Sequence, residues 1–427
     1  MSSSRPAVIL YPKQHKGGEN LKIKIPAIIE KCKYELGVFL LLIIQACMNI
    51  DFRFGMDTNF YTYYLADFSM GKTSRLLIGS LVNLLTDKPT VKWINCFAAV
   101  VLFLTLVVTS LLIGKVIKST EGKMRTVITV FSLFSVSGAF TLWGYSKFFG
   151  ILDIYMYLFT VISVVAAHNK VFRWFIPVFC IGGVLVNYIF TISYYPIIAL
   201  VLLYLAVTSE KKAGNVIVLL LSGGISVALM FYCLIVGKAS ATMPFEEMWQ
   251  IMENKLGSEI SYEAATYYEF YLYGTEEYSV SYGIDLNASI PDFIRAFSRY
   301  LIETAHNSGD FISVAVGTLP VFAVFWYIWG KCIRKSETKS EKFFYFCMIL
   351  SPLFTVVCCL LSTDITRWAA PGIITQFFLG FVLFYRKDKT FEATLLELRS
   401  KLKGKAVVVI MLWLTYAILP TTYTITG

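Results

Sequence analysis

Three aspartates and two arginines crowd the stretch that follows the first oily run of this chain. They are Asp51, Arg53, Asp57, Asp67 and Arg75, in MNIDFRFGMDTNFYTYYLADFSMGKTSRLLIGS. Asp51 falls at the end of the run ELGVFLLLIIQACMNI, where a carboxylate is costly unless it meets water, a partner or a substrate. Asp51 or Asp57 can take a proton from an acceptor hydroxyl as a general base. Arg75 carries the planar fork that grips a phosphate or pyrophosphate with two parallel hydrogen bonds, which lysine lacks. The plainer roles are a helix cap for Asp51 and lipid-phosphate contacts for Arg53 and Arg75.

Further polar groups stand out between apolar runs. YSKFFGILDIYMYLF holds Lys147 and Asp153, which form a salt bridge or add a cation and a second acid to the same chemistry. LLSTDITRWAAPG holds Asp364, Arg367 and Trp368. Asp364 and Arg367 are spaced to share a helix face, Arg367 is a second phosphate ligand, and Trp368 is either an interfacial anchor or a substrate contact. Residues 238–310 are too long for a simple connector. They contain SYEAATYYEFYLYGTEEYSVSYG, with seven tyrosines including Tyr267 and Tyr271. Tyrosines among carboxylates suit a sugar site, because rings stack on pyranose C–H faces and acids bind hydroxyls. The same composition suits a plain folded lid. His306 lies in this region without other His or Cys near it, so no metal site is read there. Arg295 and Arg299 are spaced to share a helix face.

These residues need a membrane scaffold to meet. The chain has 427 residues, 57% hydrophobic and 15% charged, against about a quarter charged for a soluble domain. Apolar runs long enough to cross about 30 Å of hydrocarbon recur along it. The fold expected is all-α: a polytopic membrane protein with about eleven transmembrane helices. They lie near 34–50, 93–114, 126–145, 150–167, 173–190, 192–208, 214–236, 311–330, 343–361, 369–385 and 406–422. The net charge of +10 does not signal nucleic-acid binding, because Lys and Arg sit in short loops between the runs. By the positive-inside rule they place the N-terminus in the cytoplasm and the C-terminus outside. The domains expected are a cytoplasmic tail (1–33), an N-terminal transmembrane module (34–236) with a first outer loop (51–92), a long outer loop (237–310) and a C-terminal transmembrane module (311–427). In the first outer loop, apolar residues at spacings of three and four predict two short amphipathic helices split near Gly71, lying in the interface. The nine cysteines lie in or beside apolar runs without a CxxC, which reads as core usage.

A basic tail, one span, an Asp at its outer end and a long first outer loop with interfacial helices resemble GT-C-type integral-membrane glycosyltransferases. DFSMGKTSRLLIGS, YSKFFGILD and TDITRW also resemble segments of multispanning membrane proteins from bacterial surface-polysaccharide clusters. Two departures from the pattern of the GT-C family are read: no tight DxD in the first loop, and no separate C-terminal soluble domain within residues 1–427. The resemblance implies a sugar transferase facing outside at the bacterial plasma membrane. It would take a polyprenyl-phosphate-linked sugar to an acceptor glycan or lipid. It implies a catalytic acid at Asp51 or Asp57 and a second at Asp153. Donor phosphate would fall to Arg75, Arg367 and Lys147. Substrate contacts would fall to Asp364, Trp368, Tyr267, Tyr271 and His306. A divalent cation is compatible with these residues and not required by them. Two alternatives stay open: a polysaccharide polymerase or ligase using undecaprenyl-pyrophosphate chains through Arg295 and Arg299, and a transporter of lipid-linked oligosaccharide.

Overall fold

Helices lie over every apolar run, and no strand occurs among the described residues. The computed structural model describes residues 30–49, 56, 58–138, 149–209, 212–237, 243–257, 260, 262, 265, 308–361 and 365–418. The first run is α1 (Lys33–Asn49). The first loop supplies α2 (Thr58–Leu65) and α3 (Leu77–Leu85). Then come α4 (Val91–Ser119), α5 (Gly122–Ser137), α6 (Asp153–Ala167) and α7 (Ile176–Val186), the last entered through a 3-10 turn at Phe172–Phe175. A single turn, α8 (Phe190–Ser193), leads into α9 (Tyr195–Thr208). Helix α10 (Lys212–Phe231) ends in a π-helical segment at Tyr232–Gly237, and α11 (Phe245–Leu256) follows. The second half contains α12 (Ser308–Lys335), α13 (Lys339–Leu350), α14 (Pro352–Leu361), α15 (Ile365–Tyr385), α16 (Lys389–Lys401) and α17 (Ala406–Ile418).

Local chemistry sets many of the boundaries. Thr90 caps α4 by accepting the Trp93 N–H, and Thr338 and Glu341 form a reciprocal capping box at the start of α13. Prolines in the first turn start α7 and α9, where a missing N–H costs nothing. Pro352 splits one apolar run into α13 and α14. The break at Ser351 is not left polar and bare. Trp329 donates to Gln376 Oε1 (2.6 Å), Gln376 donates to Ser351 Oγ (2.6 Å), and that hydroxyl donates to the Met348 carbonyl (2.9 Å). Every member is buried, as a polar chain in an apolar interior must be satisfied throughout.

Among the described residues, three helical stretches, Val91–Ser119, Lys212–Gly237 and Lys339–Cys358 (α13 continued into α14), are each long and apolar enough to cross a membrane. A fourth crossing arises if Ala369–Tyr385 and Lys389–Lys401, bent by 109°, count as one broken span. Asp153–Ala167, Phe172–Val186, Tyr195–Thr208 and Ala406–Ala417 are apolar but shorter. At about 1.5 Å per residue they fall short of a 30 Å core, whereas the sequence predicts about eleven crossings. Helix α16 is a further departure, since residues 386–405 read as a plain connecting loop in the sequence.

The residues from Tyr34 onward form one unit. Helices α6, α7, α9 and α10 pack together, and α9 also lies against α13 and α15. Helices α12, α13 and α15 form the neighbouring group, and α4 joins the two through α6 and α15. Phe131 of α5 seats α5 on that second group. Its ring meets Phe325, Phe377, Phe381 and Phe384 edge-on at 5.1–6.0 Å, a favourable aromatic geometry. Gly380 is what lets Phe131 approach α15, because a Cβ there would strike the ring. Asp388 fixes the corner between α15 and α16. It accepts hydroxyls from Tyr204 of α9 (3.1 Å) and Tyr345 of α13 (2.7 Å), and caps α16 through the Phe391 N–H (2.9 Å).

Candidate functional site

The first loop folds inward. Helix α2 buries Tyr61, Thr62, Tyr63, Tyr64 and Leu65. After it the chain turns on Asp67, whose Oδ1 accepts the Ser69 N–H at 2.8 Å while its carbonyl accepts the Met70 N–H at 3.0 Å. This side-chain-to-backbone turn is what Asp supplies more readily than most residues. Helix α3 then returns across the turn. Gly79 makes that crossing feasible, since a Cβ there would overlap the Ala66 carbonyl. Ser80 Oγ accepts the Phe68 N–H at 3.0 Å and locks the crossing.

Segments from several other parts of the chain close on this loop. From α11, Lys255 reaches Asp67 Oδ2 at 2.8 Å and the Leu65 carbonyl at 2.9 Å. Met248, Met252 and Leu256 are buried at helical spacing on α11, which turns Lys255 toward α2. Gly257, with φ of 68°, ends the helix one residue later. From the turn before α6, the Gly150 carbonyl accepts the Tyr64 hydroxyl (2.9 Å), and Tyr155 donates to Tyr64 Oη (3.2 Å). Gly150 has φ of 91° and packs directly under Met56. From α4, Asn95 Oδ1 accepts the Met56 N–H (3.3 Å), and its Nδ2 donates to Tyr61 Oη (3.0 Å). The π-helical end of α10 also joins, with Thr73 Oγ1 donating to the Cys233 carbonyl (3.1 Å).

Arg75 is the unusual residue of the loop. Its φ is 71°, a left-handed conformation for a residue with a Cβ. The Arg75 N–H is held on the Leu185 carbonyl at the end of α7 (2.9 Å). Its Nε and Nη1 atoms are out of solvent. Such a conformation costs about 1–2 kcal/mol and persists only where surrounding contacts impose it, which is commonest at working sites.

The charges differ in what they can do. Burial pushes the Asp67 carboxyl up, but hydrogen bonds from Lys255 and Ser69 outweigh it and hold the pKa below the usual carboxylate range. A carboxylate so held is a weak proton acceptor, so Asp67 fits a positioning role. Burial lifts the Tyr64 phenol well above its ordinary value, which keeps it a neutral donor. Asp153 sits fully buried in the first turn of α6, where the helix N-terminus favours negative charge.

Of the residues singled out in the sequence, Arg75 and Asp153 are thus placed on segments that pack together. Asp51, Asp57, Lys147, Tyr267, Tyr271, Arg295, Arg299, His306 and Asp364 lie outside the described residues. Arg367 and Trp368 lie in the first turn of α15. Lys255 and Asn95 carried no signal in the sequence. Each is an ordinary polar residue in its own helix, and only the tertiary pairing gives it a role. Among the described residues no group of three His, Cys, Asp or Glu side chains is placed to hold a metal ion. No protein-family model, no curated protein and no solved structure matches the chain.

Proposed function

We propose that this protein is an integral-membrane glycosyltransferase of GT-C type in the bacterial plasma membrane. It carries about eleven crossings, with the N-terminus in the cytoplasm, the C-terminus outside and the reacting groups facing outside. It takes a sugar from a polyprenyl-phosphate donor and joins it to an acceptor glycan or lipid. Asp51 or Asp57 serves as base and Asp153 as the second acid. Arg75, Arg367 and Lys147 hold the donor phosphate, with Asp364, Trp368, Tyr267, Tyr271 and His306 at the sugar and acceptor. The prenyl phosphate is already a leaving group, so a base and neutralisation of phosphate charge suffice.

One observation carries this reading. The Gly150 turn and α11 are each tied to the first loop by polar contacts that are buried or partly buried, and this loop bears Arg75 at a strained position, its N–H held by α7, which packs on the helix that begins with Asp153. Helix α3 supports an interfacial setting, since Leu81, Leu84 and Leu85 are exposed while Ile78 and Val82 are buried.

The test is a cell-free assay with purified protein, a labelled polyprenyl-phosphate sugar and candidate acceptors. Transfer in detergent, lost in Asp51→Asn or Asp57→Asn and in Arg75→Lys, supports the reading. Polymerisation of undecaprenyl-pyrophosphate oligosaccharide that survives both Asp substitutions would replace it with a polymerase. Movement of intact lipid-linked oligosaccharide across vesicles without any transfer would replace it with a transporter.

A further inference from the structure

At the opposite end of the bundle lies a second feature, unrelated to the groups above. Lys115 is about 30 Å from Asn95 along α4, at roughly 1.5 Å per residue. Here α4, α6 and α15 part around a cavity of about 200 Å³. Its walls are apolar for the most part, including Leu112, Ile113, Ile374, Phe377 and Phe378. That volume is comparable with the ~150 Å³ apolar cavities that stay dry and accept a hydrocarbon guest. Val165 and Tyr385 line it and are themselves 49% and 39% exposed, so it opens onto the outer surface of the helices.

The rim at this mouth is cationic. Lys115 Nζ stands over the Tyr385 ring at 5.3 Å, and His168 meets the same ring edge-on at 5.6 Å. Arg386 follows Tyr385 directly, and its charge, like that of Lys115, reaches His168. Among the described residues neither Lys115 nor Arg386 makes an ion pair. The nearby carboxylate Asp388 is committed to Tyr204, Tyr345 and the Phe391 N–H. His168 Nδ1 lies 2.8 Å from the Val164 carbonyl and therefore carries its proton there. Its Nε2 is buried without a hydrogen bond among the described residues.

A hydrocarbon slot that opens sideways under a rim of cations matches one chemistry, a chain attached to an anionic headgroup. We propose that this end of the bundle binds one anionic glycerophospholipid from the adjoining leaflet. Lys115 and Arg386 hold its phosphate beside His168, and one acyl chain enters the cavity past Val165. This proposal does not depend on the glycosyltransferase reading, and its failure leaves that reading intact.

The experiment uses full-length protein in detergent, incubated with equal amounts of phosphatidylglycerol and phosphatidylcholine of identical acyl chains and analysed by native mass spectrometry. Phosphatidylglycerol is expected to be retained preferentially. Lys115→Gln and Arg386→Gln should each lower its retention about fivefold, with phosphatidylcholine unchanged, as expected for one surface cation apiece. Both side chains are exposed, so folding should survive, and a thermal melt checks it. Val165→Trp, which blocks the mouth and leaves every charge in place, should lower retention independently. Equal retention of both lipids, or of phosphatidylglycerol by wild type and the two Gln variants, overturns the proposal. So does displacement of phosphatidylglycerol by inorganic phosphate at the same concentration, which would make this a plain anion site. Exclusion of phosphatidylglycerol by undecaprenyl phosphate would likewise assign a different occupant.

Discussion

Arg75 separates backbone strain from side-chain function. At φ of 71° a Cβ is penalised and glycine is not. Arg75→Gly should therefore be more stable than Arg75→Ala by about 1–2 kcal/mol, measured by thermal or denaturant unfolding, although both remove the same guanidinium. Both variants, and Arg75→Lys, should lose transfer activity if the guanidinium holds phosphate. Equal stability of the Gly and Ala variants would mean that the loop relaxes once the side chain is gone. The Asp67–Lys255 pair makes a second prediction. Both side chains are nearly buried, at 9% and 13% exposure. Asp67→Asn strands the ammonium and should cost about 3–5 kcal/mol. The double variant Asp67→Asn with Lys255→Met should cost less than the two single changes added together. The same pair predicts a pH dependence. The Asp67 pKa is lowered on folding, so its contribution is complete above the ordinary carboxylate value and fades as pH falls through the lowered one. Melting temperatures followed from about pH 6 to 3 should drop more steeply in wild type than in the double variant.

At the level of elements, the first loop was legible in outline. Spacings of three and four between Phe60 and Leu84 gave two short helices, and α2 and α3 lie there on either side of Gly71. What the pattern could not give was their crossing. Gly79 reads as an indifferent small residue, yet it is where α3 rests on the Ala66 carbonyl. Gly79→Ala should force the two helices apart and cost at least 1–3 kcal/mol, with protease nicking within 66–76 as the readout. If that loop stays as resistant as in wild type, the two helices do not bear on each other as described. The partner of Asp67 was illegible for a different reason. Lys255 is 188 residues away in sequence, and hydrophobic periodicity within α11 says only which face is buried. Helix α16 was missed because its polar composition matches that of a loop, and its start is set by a cap that also serves α9 and α13.

For the molecule as a whole, hydropathy gave an all-helical membrane chain, and the helices lie where the apolar runs do. The number of crossings does not follow as directly. Helices near fifteen residues cross a thinned bilayer, rely on snorkelling flanking residues, or stay within the protein, and hydropathy does not separate these outcomes. The charge asymmetry makes an orientation prediction that cysteine labelling can check. With native cysteines replaced by serine, Ser279→Cys should react with an impermeant maleimide on intact cells. Ser340→Cys should react only after permeabilisation. The reverse pattern would invert the chain and put Arg75 and Asp153 on the cytoplasmic side, which sinks the outward-facing transferase.

The corner at Asp388 has a practical consequence for imaging the protein. One carboxylate is clamped by hydroxyls from two separate helices and also nucleates α16, so the direction in which α16 leaves the bundle is dictated by the bundle. A rigid fiducial domain grafted in helical register onto the exposed end of α16, near Lys401, would inherit that bearing and give particles a recognisable handle. The same graft onto α17, beyond the turn at Gly404, would not inherit it from this clamp.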